Sequence, residues 1–397
     1  MTTADRSSLP FAGLRVLDIS QGIAGPYCAH VLWQQGADVV KVEPPAGDWA
    51  RGVGVLLDGT SSLLVAFNGG KRGVCVDANR PEGRAILQRL AADVDVVVEN
   101  FRPGVAARLG LDAAKLRAQR PELIFVSISG YGNTGPYAGL PATDSVVQAD
   151  AGLMFCNRGG DATPRKIGVY LADVNSGLYG AQAVAAALYR RTRTGEGAHI
   201  ELNLFDTCAA TLVCNFAEHA MAPERERQPV IPVSAPNGTW KTGDGSINIV
   251  TINDEQFGKV CAALERPEWL QDPRFANGSD RVTNVHALNR LVGEVLATRS
   301  TSQWVTRLKE HDVLCAPVRT FSQCIDHPQA AHLGTFEPVQ QPEAGLLALP
   351  GTPVRGMRRA MAPAPKLGEH TEAVLRTSGF GPDELAQWRA AGVLVQA

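Results

Sequence analysis

Neither sign of charge dominates this sequence. Its 397 residues hold 38 lysines and arginines against 40 aspartates and glutamates, a formal net charge of −2. Nucleic-acid binders carry a clustered basic excess, so no nucleic-acid partner is expected. Long hydrophobic runs are also missing. The apolar stretch at 183–188 falls far short of the roughly 20 residues that cross a bilayer. The opening MTTADRSSLPF has no apolar signal region. These absences give the expectation of a soluble, cytoplasmic protein with no membrane partner. Neither an internal repeat nor a low-complexity segment is found. Eight cysteines are present, but none forms CxxC or a Cys/His cluster with zinc spacing, so no metal is expected. Most of them lie in apolar stretches and read as small, reduced core residues.

Hydrophobic residues make up 45% of the chain and charged residues 20%, enough to bury a core. The length exceeds one ordinary core and predicts two domains, or one domain with a large insertion. LRVLDIS, ADVVKVE, VVVEN and LIFVSISG read as strands, with helical patterns such as YCAHVLWQQG and PEGRAILQRLAADV between them. In the first helix Cys28, Val31 and Leu32 are expected on the buried face, and Gly36 at its C-terminal end. Near-continuous apolar strands alternating with helices predict a parallel, doubly wound α/β sheet. A long helix is expected at roughly 175–193 and a strand-and-helix pair at 198–216. PERERQPVIPVSAP (223–236) reads as a linker. A strand at GSINIVTIND, helices at 254–265 and 285–309, and a strand at VLCAPVRT follow. The stretch 337–366, rich in proline and glycine, reads as an extended surface crossing. Helices near 369–378 and 382–391 close the chain.

The first strand, glycine turn, helix and second strand, ending in Glu43, mimic a dinucleotide-binding unit. The required GxGxxG is absent, because Gly22 is followed by Ala24, Gly25 and Pro26. NAD binding therefore ranks below another use of the same scaffold.

Several segments together carry a more specific signal. They are LPFAGLRVLDISQGIAGPYCAHVLWQQGADVVKVEPPAGD, NGGKRGVCVD, VVVENFRPGVAARLGL, SISGYGNTGPYA, DVNSGLYGAQAVAAALYRRTRTGEG, DPRFANGSDRVTN and PKLGEHTEAVL. In this order, from about residue 9 to residue 380, they resemble the class III coenzyme A transferase family (the CaiB/BaiF type). That family includes formyl-CoA transferases, carnitine CoA-transferases and acyl-CoA racemases. The resemblance implies a Rossmann-like parallel-sheet large domain, a smaller α+β domain and an interlocked homodimer. With the linker it divides the chain into 1–222, the N-terminal part of the large domain, 223–330, the linker and small domain, and 331–397, returning to the large domain.

The resemblance also implies the chemistry. Asp173 stands at the family's catalytic aspartate, the nucleophile toward an acyl-CoA carbonyl. Read locally, DVNS is a helix cap first, since Asp, Asn and Ser are the preferred N-cap types. Both readings hold together if Asn175 or Ser176 caps and Asp173 faces the site. For coenzyme A, a thioester co-substrate rather than a tightly bound cofactor, the resemblance points to the turn Gln21, Gly22, Ile23 and Ala24. It adds Asn100, Phe101 and Arg108, with Arg102 as a neighbour, and Tyr131 beside the acyl group. Lys41, Lys71 and Arg72 are further candidates, because phosphates call for basic side chains. A surface charge is the ordinary reading of any one of them. Tyr131 and Gly132 also suit a plain β-turn.

Two departures narrow the reaction. The racemase branch has histidine before an aspartate after SGYG, where this chain has Thr143 before Asp144, and threonine is no base at neutral pH. Formyl-CoA transferases carry a run of glycines where this chain reads SAPNGTWKTGDG. The expectation is therefore a CoA-transferase that moves coenzyme A from an acyl-CoA to a small carboxylic acid through an aspartyl anhydride and an aspartyl-CoA thioester. An acyl-CoA racemase or isomerase, or a non-catalytic acyl-CoA binding protein, is the alternative.

Overall fold

The computed structural model describes residues 8–158, 162–224 and 232–396. It divides into two compact units, Met1–Met221 with Ala331–Ala397, and Ala222–Ala330. The larger unit is built on a seven-stranded sheet in the order Leu394–Val395, Arg72–Val76, Asp38–Glu43, Arg15–Asp18, Val96–Glu99, Ile124–Ser129, His199–Asn203. All neighbours pair in parallel except Leu394–Val395, which runs antiparallel against Arg72–Val76 at one edge. The four strands expected from apolar runs are all present. Arg72–Val76 and Leu394–Val395 were not anticipated. RGVCV is short, and a two-residue strand has no pattern to read.

Alternation along the central strands divides two cores. Val16, Val39, Val96, Val98, Ile124 and Val126 face one side, while Leu17, Val40, Val42, Val97 and Phe125 face the other. Each face is closed by helices, as burial on both faces of a parallel sheet requires. The helix Ala24–Gln34 buries Cys28, Val31 and Leu32 on the first side, and Gly36 follows it at φ 117°. Of the cysteines, all unpaired, Cys28, Cys75, Cys208 and Cys261 are buried and Cys315 is half-buried; Cys156, Cys214 and Cys324 are exposed, against expectation.

Other boundaries move. The long helix runs over Leu171–Thr194, four residues earlier than expected, so Asp173 lies in its first turn rather than ahead of it. Asn175 and Ser176 are therefore not caps: Asn175 donates to Thr211 Oγ1 at 3.0 Å and Ser176 is buried within the helix. The stretch read as an extended crossing opens with an antiparallel hairpin, Phe336–Gln341 with Gly345–Pro350. In the smaller unit, Asn237–Lys241, Ser246–Val250 and Leu314–Pro317 form an antiparallel sheet. It packs with helices around Trp240, Phe257, Trp269, Phe275 and Trp304. The helix expected at 285–309 is two, Val285–Leu296 and Thr301–Glu310. Ser300 ends the run by forming a capping box with Gln303. Residues 225–231 of the expected linker lie outside the described residues.

Candidate active site

Ligand sites of open parallel sheets lie beyond the carboxyl ends of the strands. Here the first strand runs out into the turn 21–24, and two side chains from elsewhere hold that turn. Asn100, just past the fourth-in-chain sheet strand Val96–Glu99, accepts from the Gln21 amide and donates to the Gln21 carbonyl, both at 2.7 Å. Asp48 accepts from the Gly22 amide at 2.8 Å. Gly22 has φ 78°, and a Cβ there would lie 2.0 Å from the Trp49 ring, so only glycine fits. Glu99 in turn accepts from the Phe101 amide at 2.8 Å and fixes the neighbouring turn; burial raises its pKa.

Beneath the turn sits a set of four buried charges. Lys71 donates at 2.8 Å to each of Asp18 Oδ2, Asn68 Oδ1 and the Pro26 carbonyl. Lys41 donates to Asp48 at 2.8 Å and to the Ser20 carbonyl. The side chains of both ion pairs are fully buried. Burial alone raises the pKa of Asp18, but the ammonium charges of Lys41 and Lys71 outweigh it and hold it low. Burial pulls Lys71 down to about 8. The expectation that Lys41 and Lys71 reach a CoA phosphate is corrected: their ammonium groups are spent inside the fold, shaping the turn from below. Arg72 opens its strand and pairs with Asp38 at the amino end of the adjacent strand, so the structure does not bring it to the turn either.

Arg102 and Arg108 differ from these. Both are exposed, and neither has an ion pair among the described residues. Arg102 precedes, and Arg108 ends, the short helix Val105–Arg108 that follows Asn100 and Phe101. Two free guanidinium groups beyond the carboxyl end of a parallel strand suit a phosphate ligand. Phe101 is half-buried against the second core. Tyr131 is half-buried too, stacked edge-on to Tyr137 at 5.4 Å. Loss of water contact and the Asp150 carboxylate raise its pKa.

Asp173 reaches the same region through packing. Its helix lies against Ala24–Gln34 at a close crossing, where a Cβ on Gly177 would fall 2.8 Å from the Ala24 carbonyl oxygen. Val174, the next residue, packs against the cluster of Ile23, Ala50 and Leu63. The first turn of the long helix, which carries Asp173, is thereby packed near Ile23 through Val174. Burial raises its pKa to about 7, with the Asp144 charge adding and Lys166 opposing. A carboxyl poised near neutrality in a helix's first turn is unusual, because that end of a helix favours the anion. Sequence reasoning did not single out Asp48 or Gln148, and it noted Asp144 only for the threonine before it. The buried aspartate ending the first strand, in VLDIS, was a legible signal of a polar network.

The family model described as CoA-transferase family III matches residues 11–371. The human protein named succinyl-CoA:glutarate CoA-transferase is 32% identical over 92% of this chain and 85% of its own. An acetyl-CoA:oxalate CoA-transferase from Acetobacter aceti is 34% identical over 89% of this chain and 91% of its own. A crystal structure of a CAIB/BAIF family protein from Brucella suis superposes with a TM-score of 0.84 at 34% identity, covering 93% of this chain and 99% of that one. On this match over nearly its whole length, the chain belongs to CoA-transferase family III and is an enzyme that transfers coenzyme A.

Proposed function

We propose that this enzyme moves coenzyme A from an acyl-CoA to a small carboxylic acid with Asp173 as the covalent nucleophile. The observation that carries this is the half-buried Asp173 carboxyl, its pKa raised by burial to about 7, in the helix turn whose Val174 packs against Ile23. An Asp173 oxygen attacks the acyl carbonyl carbon. The carbon–sulfur bond breaks and coenzyme A leaves as its thiolate, giving a mixed anhydride. The thiolate then attacks the Asp173 Cγ, and the donor acid leaves as a carboxylate. An acceptor carboxylate attacks this aspartyl thioester, forming a second anhydride and releasing the thiolate once more. The thiolate takes the new acyl group and Asp173 is regenerated. Each step exchanges one acyl bond for another, so water is never needed as a reactant.

In this reading coenzyme A is held by the turn Gln21, Gly22, Ile23 and Ala24, by Asn100 and Phe101, and by the free guanidinium groups of Arg102 and Arg108. Tyr131 lies toward the acyl end. Dicarboxylates named for the relatives, glutarate and oxalate, make a small dicarboxylic acid the first acceptor to try. An interlocked homodimer, with domains at 1–222, 223–330 and 331–397, accords with the exposed Val213, Phe216 and Met221 on the helix Val213–Met221. The eight unpaired cysteines suit a cytoplasmic setting.

The test is a panel of acyl-CoAs and acids followed by mass spectrometry. Exchange of coenzyme A between acids is expected, together with hydroxylamine capture at Asp173 only after acyl-CoA is added. Deuterium entry at the α-carbon without any acceptor, and no exchange, would replace transfer by isomerisation.

A further inference from the structure

The long helix Leu171–Thr194 has no side-chain cap of its own at Tyr170. Its free amides are met from another element. Asp144, buried at the start of the helix Asp144–Asp150, accepts from the Ala172 amide at 2.9 Å and the Asp173 amide at 3.4 Å through one oxygen. Its other oxygen accepts from Gln148 Nε2 at 2.7 Å. Gln148, fully buried, also donates to the Val169 carbonyl at 3.1 Å and accepts from the Ile167 amide at 3.1 Å. Two side chains one turn apart thus bind the backbone at 167, 169, 172 and 173, the whole approach to the nucleophile.

We propose that Asp144, steadied by Gln148, is a positioning residue for Asp173. It fixes the first turn of the helix and occupies the amide hydrogens that would otherwise favour the Asp173 anion. This rests on the reading of Asp173 as nucleophile. The charged and titratable groups facing Asp173 are few among the described residues. Asp144 faces it from its own helix, Lys166 from the segment ahead of the long helix, and Cys208 from the helix Leu204–Thr211. Burial pushes the Cys208 thiol up to about 11, with the charges of Asp144 and then Asp173 adding. The carboxylates therefore face one side of a shared space. A helix N-terminus is worth less to Asp173 when another carboxylate already holds it. The Asp173 anion is correspondingly less stabilised and a stronger nucleophile, at the cost of ionising later as pH rises.

The experiment follows the Asp173 carboxyl by carbon-13 NMR in the full chain with labelled aspartate, assigned with Asp173→Asn, alongside kcat/KM against pH. In Asp144→Asn, which keeps the amide acceptor and drops the charge, the Asp173 midpoint is expected to fall by about one pH unit or more. The high-pH rate is expected to fall with it. An unmoved midpoint overturns the inference. Gln148→Met serves as the second variant, and as the only one if Asp144→Asn fails to fold. It leaves the charges in place and frees the backbone at 167–169, so kcat should drop about tenfold or more with the KM for acyl-CoA held within about twofold. An unchanged kcat overturns the inference. The NMR midpoint is read without turnover, whereas failure of hydroxylamine to capture Asp173 in the unaltered enzyme would sink the nucleophile reading instead.

Discussion

Asp173 is where function and stability pull apart. Its folded-state pKa, about 7, lies above the ordinary 3.8, so the fold holds the proton more tightly than the unfolded chain does. The stability this gives is complete below 3.8 and is lost as pH rises toward 7. Asp173→Asn should therefore melt higher than the native protein at pH 8, by about 1–3 kcal/mol after allowing for partial exposure. The gain should vanish below about pH 4, as thermal melts at the two pH values will read. The same variant should lose roughly 10⁴-fold or more in kcat, and the native kcat/KM should fall away below a midpoint near 7. The basic residues separate as cleanly. Lys71→Met leaves the buried Asp18 carboxylate without its ion-pair partner, and should cost about 3–5 kcal/mol in denaturant unfolding. Arg108→Gln removes an exposed, unpaired group, so stability should stay within about 0.5 kcal/mol while the KM for acyl-CoA rises several-fold. Residue type alone puts these two in one class, and only the family resemblance sets Arg108 ahead. A lysine's type says that it seeks an anion, but not whether that anion is a phosphate or Asp18.

At the scale of elements, the two helices around the site are set by what they lack. The long helix crosses Ala24–Gln34 through Gly177 and Gly180, where a Cβ would meet the Ala24 carbonyl oxygen at 2.8 Å and the Cys28 Sγ at 3.0 Å. Alanine in place of glycine favours a helix by about 1 kcal/mol. Overpacking against a rigid backbone oxygen costs about 1–3 kcal/mol and exceeds it. Gly177→Ala should thus destabilise in chemical denaturation and slow turnover by shifting the helix turn that carries Asp173. Gly180→Ala, facing a sulfur that can yield, should do less of both. The existence of this helix was legible from its composition, but its start was not. The groups that cap it belong to Asp144, which is close to it only in three dimensions. The strand ends were clearer, because an apolar run stops where burial stops. Ser300 was missed for a different reason: a capping box inside a long periodic pattern is outweighed by the pattern unless it is sought.

For the molecule as a whole, the parallel sheet and its alternation with helices could be read directly, since strands covered on both faces have to be apolar throughout. The turn's supports could not. Asn100, Asp48 and the buried charges come from separate strands and loops, and only the strand order brings them together. The edge strand Leu394–Val395 is the extreme case, a pairing fixed by register with Val76 and Cys75 and by nothing in its own two residues. Leu385, Val393 and Leu394 are all buried in the second core. At about 1.5–3 kcal/mol for each buried side chain, their loss approaches the whole stability of an ordinary domain. Ending the chain at Gly381 should therefore leave little soluble, folded protein, as size-exclusion profiles and far-ultraviolet dichroism will show.

The larger unit is made from both sides of the smaller one in the chain, and this bears on how it is born. A ribosome delivers residues in order, and Ala222–Ala330 emerges complete while the seven-stranded sheet still lacks an edge. That sheet cannot gain its edge until residues 394–395 have been made, so the half-made product waits with a strand exposed and depends on whatever shields nascent chains in the cell.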